Sequence, residues 1–203
     1  MRTVLLLVGA ALLVDGFTVG RLSAQDFAAS CRRCPSTYIP ASEVAEYTAL
    51  GRADLSLIDQ QMRAVDVGKS QVEVALVHRG KLDKPGARSV AEHDLVSEVY
   101  YVLSGSGTNR TGPDLVDQQR RPATDRTVRL LNGPGGDATD VRNAAEHELT
   151  AGDVIVIPAG TGHQFTKIDD HITYLMIRID PDKVVPLMDE AASRAYRAAH
   201  GQK

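Results

Sequence analysis

The stretch that most constrains the fold is Gly152–His163, GDVIVIPAGTGH, taken together with Ala91–Gly107, AEHDLVSEVYYVLSGSG. Each reads as a β-strand segment flanked by glycine turns, and each carries imidazole or carboxylate groups. A strand-rich barrel that closes the gap between them would bring His93, Glu98 and His163 to one point in its mouth. Two imidazoles and a carboxylate are a donor set for one divalent ion that leaves coordination positions open for water and substrate.

Composition narrows the classes. The 203 residues suffice for one domain with a real core. The net charge is −3, and the lysines and arginines are dispersed among acids, which argues against a nucleic-acid partner. Aromatic residues make up 4% with no tryptophan, so a stacking platform for single strands or glycans is not expected.

The N-terminus reads as a secretion signal: Met1-Arg2-Thr3, an apolar run over Val4–Val14, then Leu22-Ser23-Ala24 as a small-residue cleavage site. The run is shorter than the ~20 apolar residues a bilayer span needs. Cleavage after Ala24 predicts a periplasmic or secreted protein with no stable membrane span. An uncleaved anchor or a buried N-terminal helix is the competing reading. The two cysteines, Cys31 and Cys34 in CRRCP, predict a small local disulfide in an oxidising compartment, with redox or metal-binding roles as alternatives.

Along the chain, residues 25–59 form a leader with a short helix over Glu43–Leu50, capped by Ser42 and stopped by Gly51. Gln60–Val67 and Gln71–Arg79 read as strands. In the second, Val72, Val74, Leu76 and His78 share one face and Glu73, Ala75, Val77 and Arg79 the other. Glu98–Leu103 is a strong strand, Ser104–Gly107 a tight turn, and Thr108–Thr111 the return. Thr127–Leu131 reads as a short strand, Asn132–Asp137 as a plain glycine-rich loop, and Glu146–Thr150 as another strand. Val154–Ile157 reads as a buried strand and Ile172–Ile179 as the last long one. Pro186–His200 has helical spacing. Some nine short strands with helices only at the ends predict an all-β barrel or sandwich over residues 60–180, followed by a C-terminal helical segment, residues 181–203.

Gly152, Pro158, Gly160 and His163 fill every fixed position of the second cupin motif, and Gly105 stands seven residues after Glu98 as the first motif requires. The chain resembles a single-domain cupin. The resemblance implies a double-stranded β-helix, or jelly-roll, barrel with a mononuclear metal (iron, zinc, manganese or nickel), and pairing of barrels into a homodimer. One departure stands out. The first motif usually carries H-x-H before its glutamate; His93 aligns with the second histidine and Ala91 occupies the place of the first. The ligand set reduces to His93, Glu98 and His163. An alternative alignment puts Glu92 and Asp94 at the histidine positions.

An offset of five along an unbroken strand would turn His93 and Glu98 to opposite faces. Both face inward only if the chain bends between them, near Asp94 and Ser97. Tyr100 then shares the inward face of Glu98 and is the first acid/base candidate. His78 is a candidate fourth ligand or rim residue, and His147 and His171 fall beside turns. Arg79 and Arg178 are candidate anion holders, though salt-bridge or surface roles are the stronger expectation. Two functions follow: an exported metal-dependent enzyme on a small polar molecule (oxygenase, isomerase/epimerase or lyase type), or a module that binds metal or a small ligand without turnover. A structural barrel with a pocket filled by apolar side chains is the third.

Overall fold

The computed structural model describes residues 28–201. The predicted signal peptide lies outside the described residues. Those described form twelve β-strands between two α-helices, and no helix among them is long and apolar enough to cross a membrane.

The strands are β1 (Asp59–Asp66), β2 (Gln71–Arg79), β3 (Val90–His93), β4 (Ser97–Gly112), β5 (Asp114–Val116), β6 (Gln119–Arg120), β7 (Gly135–Ala138), β8 (Asp140–Arg142), β9 (Ala145–Thr150), β10 (Val154–Ile157), β11 (Gly162–Lys167) and β12 (Ile172–Asp180). All pairings are antiparallel, in the order β1-β2-β12-β4-β11-β3-β7-β6, with β9 and β10 also paired to β4. This is an all-β cupin-type barrel with short terminal helices.

β4 organises the barrel. Ser97–Gly105 pairs with β12, and residues from Ser106 onward pair with β9 and β11. The chain therefore continues as one strand through the Ser104–Gly107 segment in which a tight turn was expected. Gly105 makes the crossing: its φ is +75°, and a Cβ there would sit 2.0 Å from the His171 carbonyl oxygen. Only glycine takes that backbone conformation without strain and allows that approach. A signal that reads as a turn is here a bend within one long strand.

The interior follows from alternation. Ala75 and Val77 of β2, Tyr100 and Val102 of β4, and Ile172, Tyr174 and Met176 of β12 meet Ile157, Phe165 and Leu149 in one core. The other face of β2 is also buried. Leu76 packs with Met62 and with Tyr47 of α1 (Ala41–Ala53). That helix is not stopped at Gly51 and has no side-chain cap. Gly51 instead lets it lie against the sheet, since a Cβ there would be 2.9 Å from both the Gln60 side chain and His78.

Four further expectations are corrected. Thr127–Leu131 is not a strand; Val128–Asn132 forms a π-helical turn that buries Leu131 and Asn132. The Asn132–Asp137 stretch runs into β7, where a Cβ on Gly135 would lie 2.2 Å from the Glu92 carbonyl oxygen, so glycine permits the close pairing with β3. β10 is a strand but not a buried one, with Val154 60% and Val156 63% exposed. The C-terminal helix α2 (Glu190–His200) begins later than its spacing predicted. Asp189 caps it by accepting from the Ala192 amide at 2.8 Å. Cys31 and Cys34 are joined in the local disulfide expected.

Candidate metal centre

β3 ends at His93 and β4 starts at Ser97, so the bend falls where the five-residue offset required it. Two contacts tie this corner to the loop before β11. The Gly160 amide donates to the His93 carbonyl at 2.7 Å, and the Ala159 amide donates to Ser97 Oγ at 3.0 Å. The two motif segments are thereby held as one corner.

His93, Glu98 and His163 converge there. One ligand atom from each lies within 4.8 Å of the others, and all three residues are buried. His93 Nε2 is 3.3 Å from Glu98 Oε1, and His163 Nε2 is 3.3 Å from Glu98 Oε2. The rings are 5.2 Å apart, centroid to centroid. His163 Nδ1 lies 3.1 Å from the Thr161 carbonyl. Donation to that acceptor fixes the tautomer and leaves the Nε2 lone pair facing the cluster, as ligation demands. Burial pulls the His163 pKa down to about 4, although the Glu98 carboxylate opposes the shift. The ring is neutral at physiological pH and free to donate its lone pair.

Glu98 is held as an anion. Burial alone would push its carboxyl up, but His93, His163 and Arg178 together hold it well below the usual carboxylate range. The Tyr100 hydroxyl donates to Glu98 Oε2 at 2.7 Å, and Arg178 Nε donates to Oε1 at 3.4 Å. Burial, with Glu98 adding to it, raises the Tyr100 phenol well above its ordinary value, so it remains a proton carrier. Asn132, on the π-helical turn, places Nδ2 3.0 Å from His93 Nε2, while its buried Oδ1 has no partner. An amide is read in either orientation from its hydrogen bonds. The reversed one would turn an oxygen donor toward the cluster. The donor set, the fixed tautomer and this orphaned oxygen all fit a divalent cation.

Other predicted residues fall elsewhere. Ala91 lies on β3 opposite His163 and lines the adjoining cavity without offering a ligand. Glu92 accepts from Gln118 and Asp94 from Arg120, so the alternative alignment is not realised. His78 is on the outer face of β2, bonded to Thr173 Oγ1 at 2.7 Å, and cannot serve as a fourth ligand. His147 is exposed, and His171 bonds Asp170. Arg178 is fully buried in an ion-pair network, and Arg79 lies at the cavity wall. Sequence reasoning did not find Asn132 or Asn109. Asn132 carried no signal in a loop-like stretch. Unbroken alternation from Glu98, Tyr100 and Val102 would turn Asn109 outward; it faces inward because the register of β4 shifts between Val102 and Ser104.

The family described as AraC-like ligand binding domain matches residues 136–202, from β7 through α2. Together, the barrel, the complete second motif and this match support placement in the cupin superfamily. No curated protein matches the sequence significantly. Among solved structures, a protein from Bacillus halodurans is 15% identical, covering 79% of this chain and 96% of its own, with a TM-score of 0.40. The DMSP lyase DddQ from Ruegeria pomeroyi is 13% identical, covering 77% and 71%, with a TM-score of 0.38. A cupin protein from Bacteroides fragilis is 20% identical, covering 58% and 72%, with a TM-score of 0.30. Likenesses this loose carry no conclusion about activity.

Proposed function

We propose that this chain is an exported cupin that holds one divalent metal through His93, Glu98 and His163 and acts as an enzyme on a small polar molecule. The observation that carries the reading is three buried donors within 4.8 Å. Burying such groups is costly unless they are hydrogen-bonded or coordinate a metal. When bound, the ion would polarise a substrate oxygen or lower the pKa of bound water.

The remaining chemistry belongs to the chain. Thr161 orients His163, and Arg178 keeps Glu98 ionised and in place. Tyr100 lines the cavity beside His163 and holds a proton at its hydroxyl. That hydroxyl can turn from Glu98 to donate to a substrate oxygen, giving up its proton only to one basic enough to take it from a phenol held above its ordinary pKa, while Glu98 retains its Arg178 contact. Oxygenase, isomerase/epimerase and lyase chemistries all suit an ion with open positions and one nearby acid. The ion would be iron, zinc, manganese or nickel.

The test is elemental analysis of the purified full chain against His93→Ala and His163→Ala. Stoichiometric metal in the wild type and its loss in both variants is expected. No metal under replete conditions, or metal that persists in both, would remove the site. Tyr100→Phe then serves as the control in a substrate screen: turnover unchanged in that variant would remove Tyr100 as the acid.

The second reading, a binder without turnover, is favoured by Ala91 standing where a ligand histidine is usual. Metal binding and small-ligand binding without any turnover across the screen would establish it. Homodimer formation remains part of the proposal, with β10 supplying an edge strand that exposes Val154 and Val156. Sedimentation at two concentrations tests it.

A further inference from the structure

A cavity of about 150 Å³ opens beside the metal cluster, lined by His163, Tyr100, Ala91, Asn109, Arg79 and Phe165 among others. Its polar groups divide into two kinds. Tyr100 and His163 have protein partners at Glu98 and Thr161. Asn109 has none, and Arg79 has a tyrosine hydroxyl but no carboxylate.

Asn109 is 1% exposed, and neither Oδ1 nor Nδ2 has a hydrogen-bond partner. A buried amide left bare in that way is costly, because neither water nor protein replaces its lost hydrogen bonds. Arg79 is half-buried. Its Nε donates to the Tyr174 hydroxyl at 3.3 Å, and its guanidinium stands 5.5 Å from the Phe165 ring centre. Among the described residues no carboxylate forms an ion pair with Arg79. Asp59, whose charge reaches it, is engaged by Arg178. A guanidinium with no anion and an amide with no partner therefore border the same small cavity, next to the proposed metal.

We infer that this cavity receives a small carboxylate, whose negative group is bound by the Arg79 guanidinium and the Asn109 side-chain amide while the rest of the molecule faces His163 and Tyr100. The planar guanidinium matches a carboxylate with two parallel N–H donors, and Asn109 Nδ2 adds a third. The volume suits a short-chain acid and excludes a nucleotide or an oligosaccharide. The second half of the inference rests on the metal-site reading, because it sets the reacting end against the ion. The anion subsite stands on Arg79 and Asn109 alone.

Calorimetric titration of the full chain with acetate and pyruvate, against the neutral acetamide and pyruvamide, tests it, with metal content measured on the same samples. The acids are expected to bind, and the amides to bind about tenfold more weakly or worse. Arg79→Met should weaken the acids by about tenfold or more, and Asn109→Leu by about fivefold, with metal content unchanged in both. Should Arg79→Met not fold, Arg79→Lys keeps the charge, and acids should still be preferred over amides. Equal binding of acids and amides, no binding of either acid, or full affinity in Arg79→Met would overturn the inference. Anion binding that depends on Arg79 in a protein devoid of metal would sink the metal reading and leave the subsite. Full metal with no preference for acids would do the reverse.

Discussion

Two arginines enter the barrel from neighbouring strands, and their surroundings are opposite. Arg178 on β12 is 0% exposed and spends its donors inside the protein, on Glu98, Asp59 and Gln61. Arg79 on β2 has a tyrosine hydroxyl and an aromatic face, and a cavity in front of it. A buried charge is tolerated when it is paired and hydrogen-bonded. Arg178 meets that condition within the fold, so it is structural and positions Glu98. Arg79 is only half-buried and has no carboxylate partner among the described residues, so its charge is free to meet a ligand in the cavity. The comparison separates residues that make the site from residues that wait for something to enter it.

Arg178→Met attacks the paired side and should have the largest effect. It leaves buried Glu98 and part-buried Asp59 without their shared cation, a loss of about 3–5 kcal/mol. Urea denaturation of the full chain checks this. A loss below about 1 kcal/mol would mean that the network is not structural and that the contrast fails.

Glu73 sharpens the same contrast. It is fully buried on β2, beside Arg178 in register, yet both carboxylate oxygens lack hydrogen-bond partners. Burial raises its pKa to about 7, with Arg178 opposing the shift. The folded state therefore holds a proton that the unfolded state releases near 4.5. Between those values the unfolded chain binds fewer protons, so stability must fall as pH rises from 4.5 toward 7 and then level off. Glu73→Gln should remove that slope and gain about 1–3 kcal/mol at pH 8. Denaturation curves at pH 5 and 8 decide it. An unchanged slope would show that Arg178 already satisfies Glu73.

Asn132 lies between the two cases, with one amide atom partnered and the other bare. With its amide reversed, Asn132 Oδ1 would stand beside the cluster as a further oxygen donor, and Asn132→Ala should then lower metal affinity about tenfold. Competition with a chromophoric chelator reads this directly. Unchanged affinity would assign Asn132 to packing alone.

Much of this was legible in the sequence, and the physical reasons for the rest are specific. His93, Glu98 and His163 were readable because motif spacing fixes where strands end and bend. Tyr100 followed from alternation on β4. The Ser104–Gly107 segment was misread because glycine and serine mark both a turn and a bend, and only the pairing partners of β4 tell them apart. Asn109 was hidden too, because the register shift between Val102 and Ser104 reverses the alternation of β4 and no pattern in the chain marks it. Arg79 was assigned to the correct face, but no pattern in the chain shows that its strand neighbours leave it without a carboxylate. Val154 and Val156 read as buried because an apolar run does not reveal whether a second layer covers it.

The smallest effect should come from Arg79→Met on stability. The side chain is half-buried, its aliphatic stem is replaced by one of similar bulk, and no carboxylate is orphaned. The change should stay within about 1 kcal/mol in ligand-free protein. Acetate should then raise the melting temperature of the wild type, since a ligand that binds only the folded state stabilises it as its concentration exceeds Kd. Arg79→Met should not respond, and Arg178→Met cannot mimic that silence if it still folds, because Arg79 remains. Thermal melts at matched ionic strength, with and without acetate, separate the two arginines. A stability loss in Arg79→Met as large as that in Arg178→Met would mean that both are structural and that the cavity lacks an anion subsite.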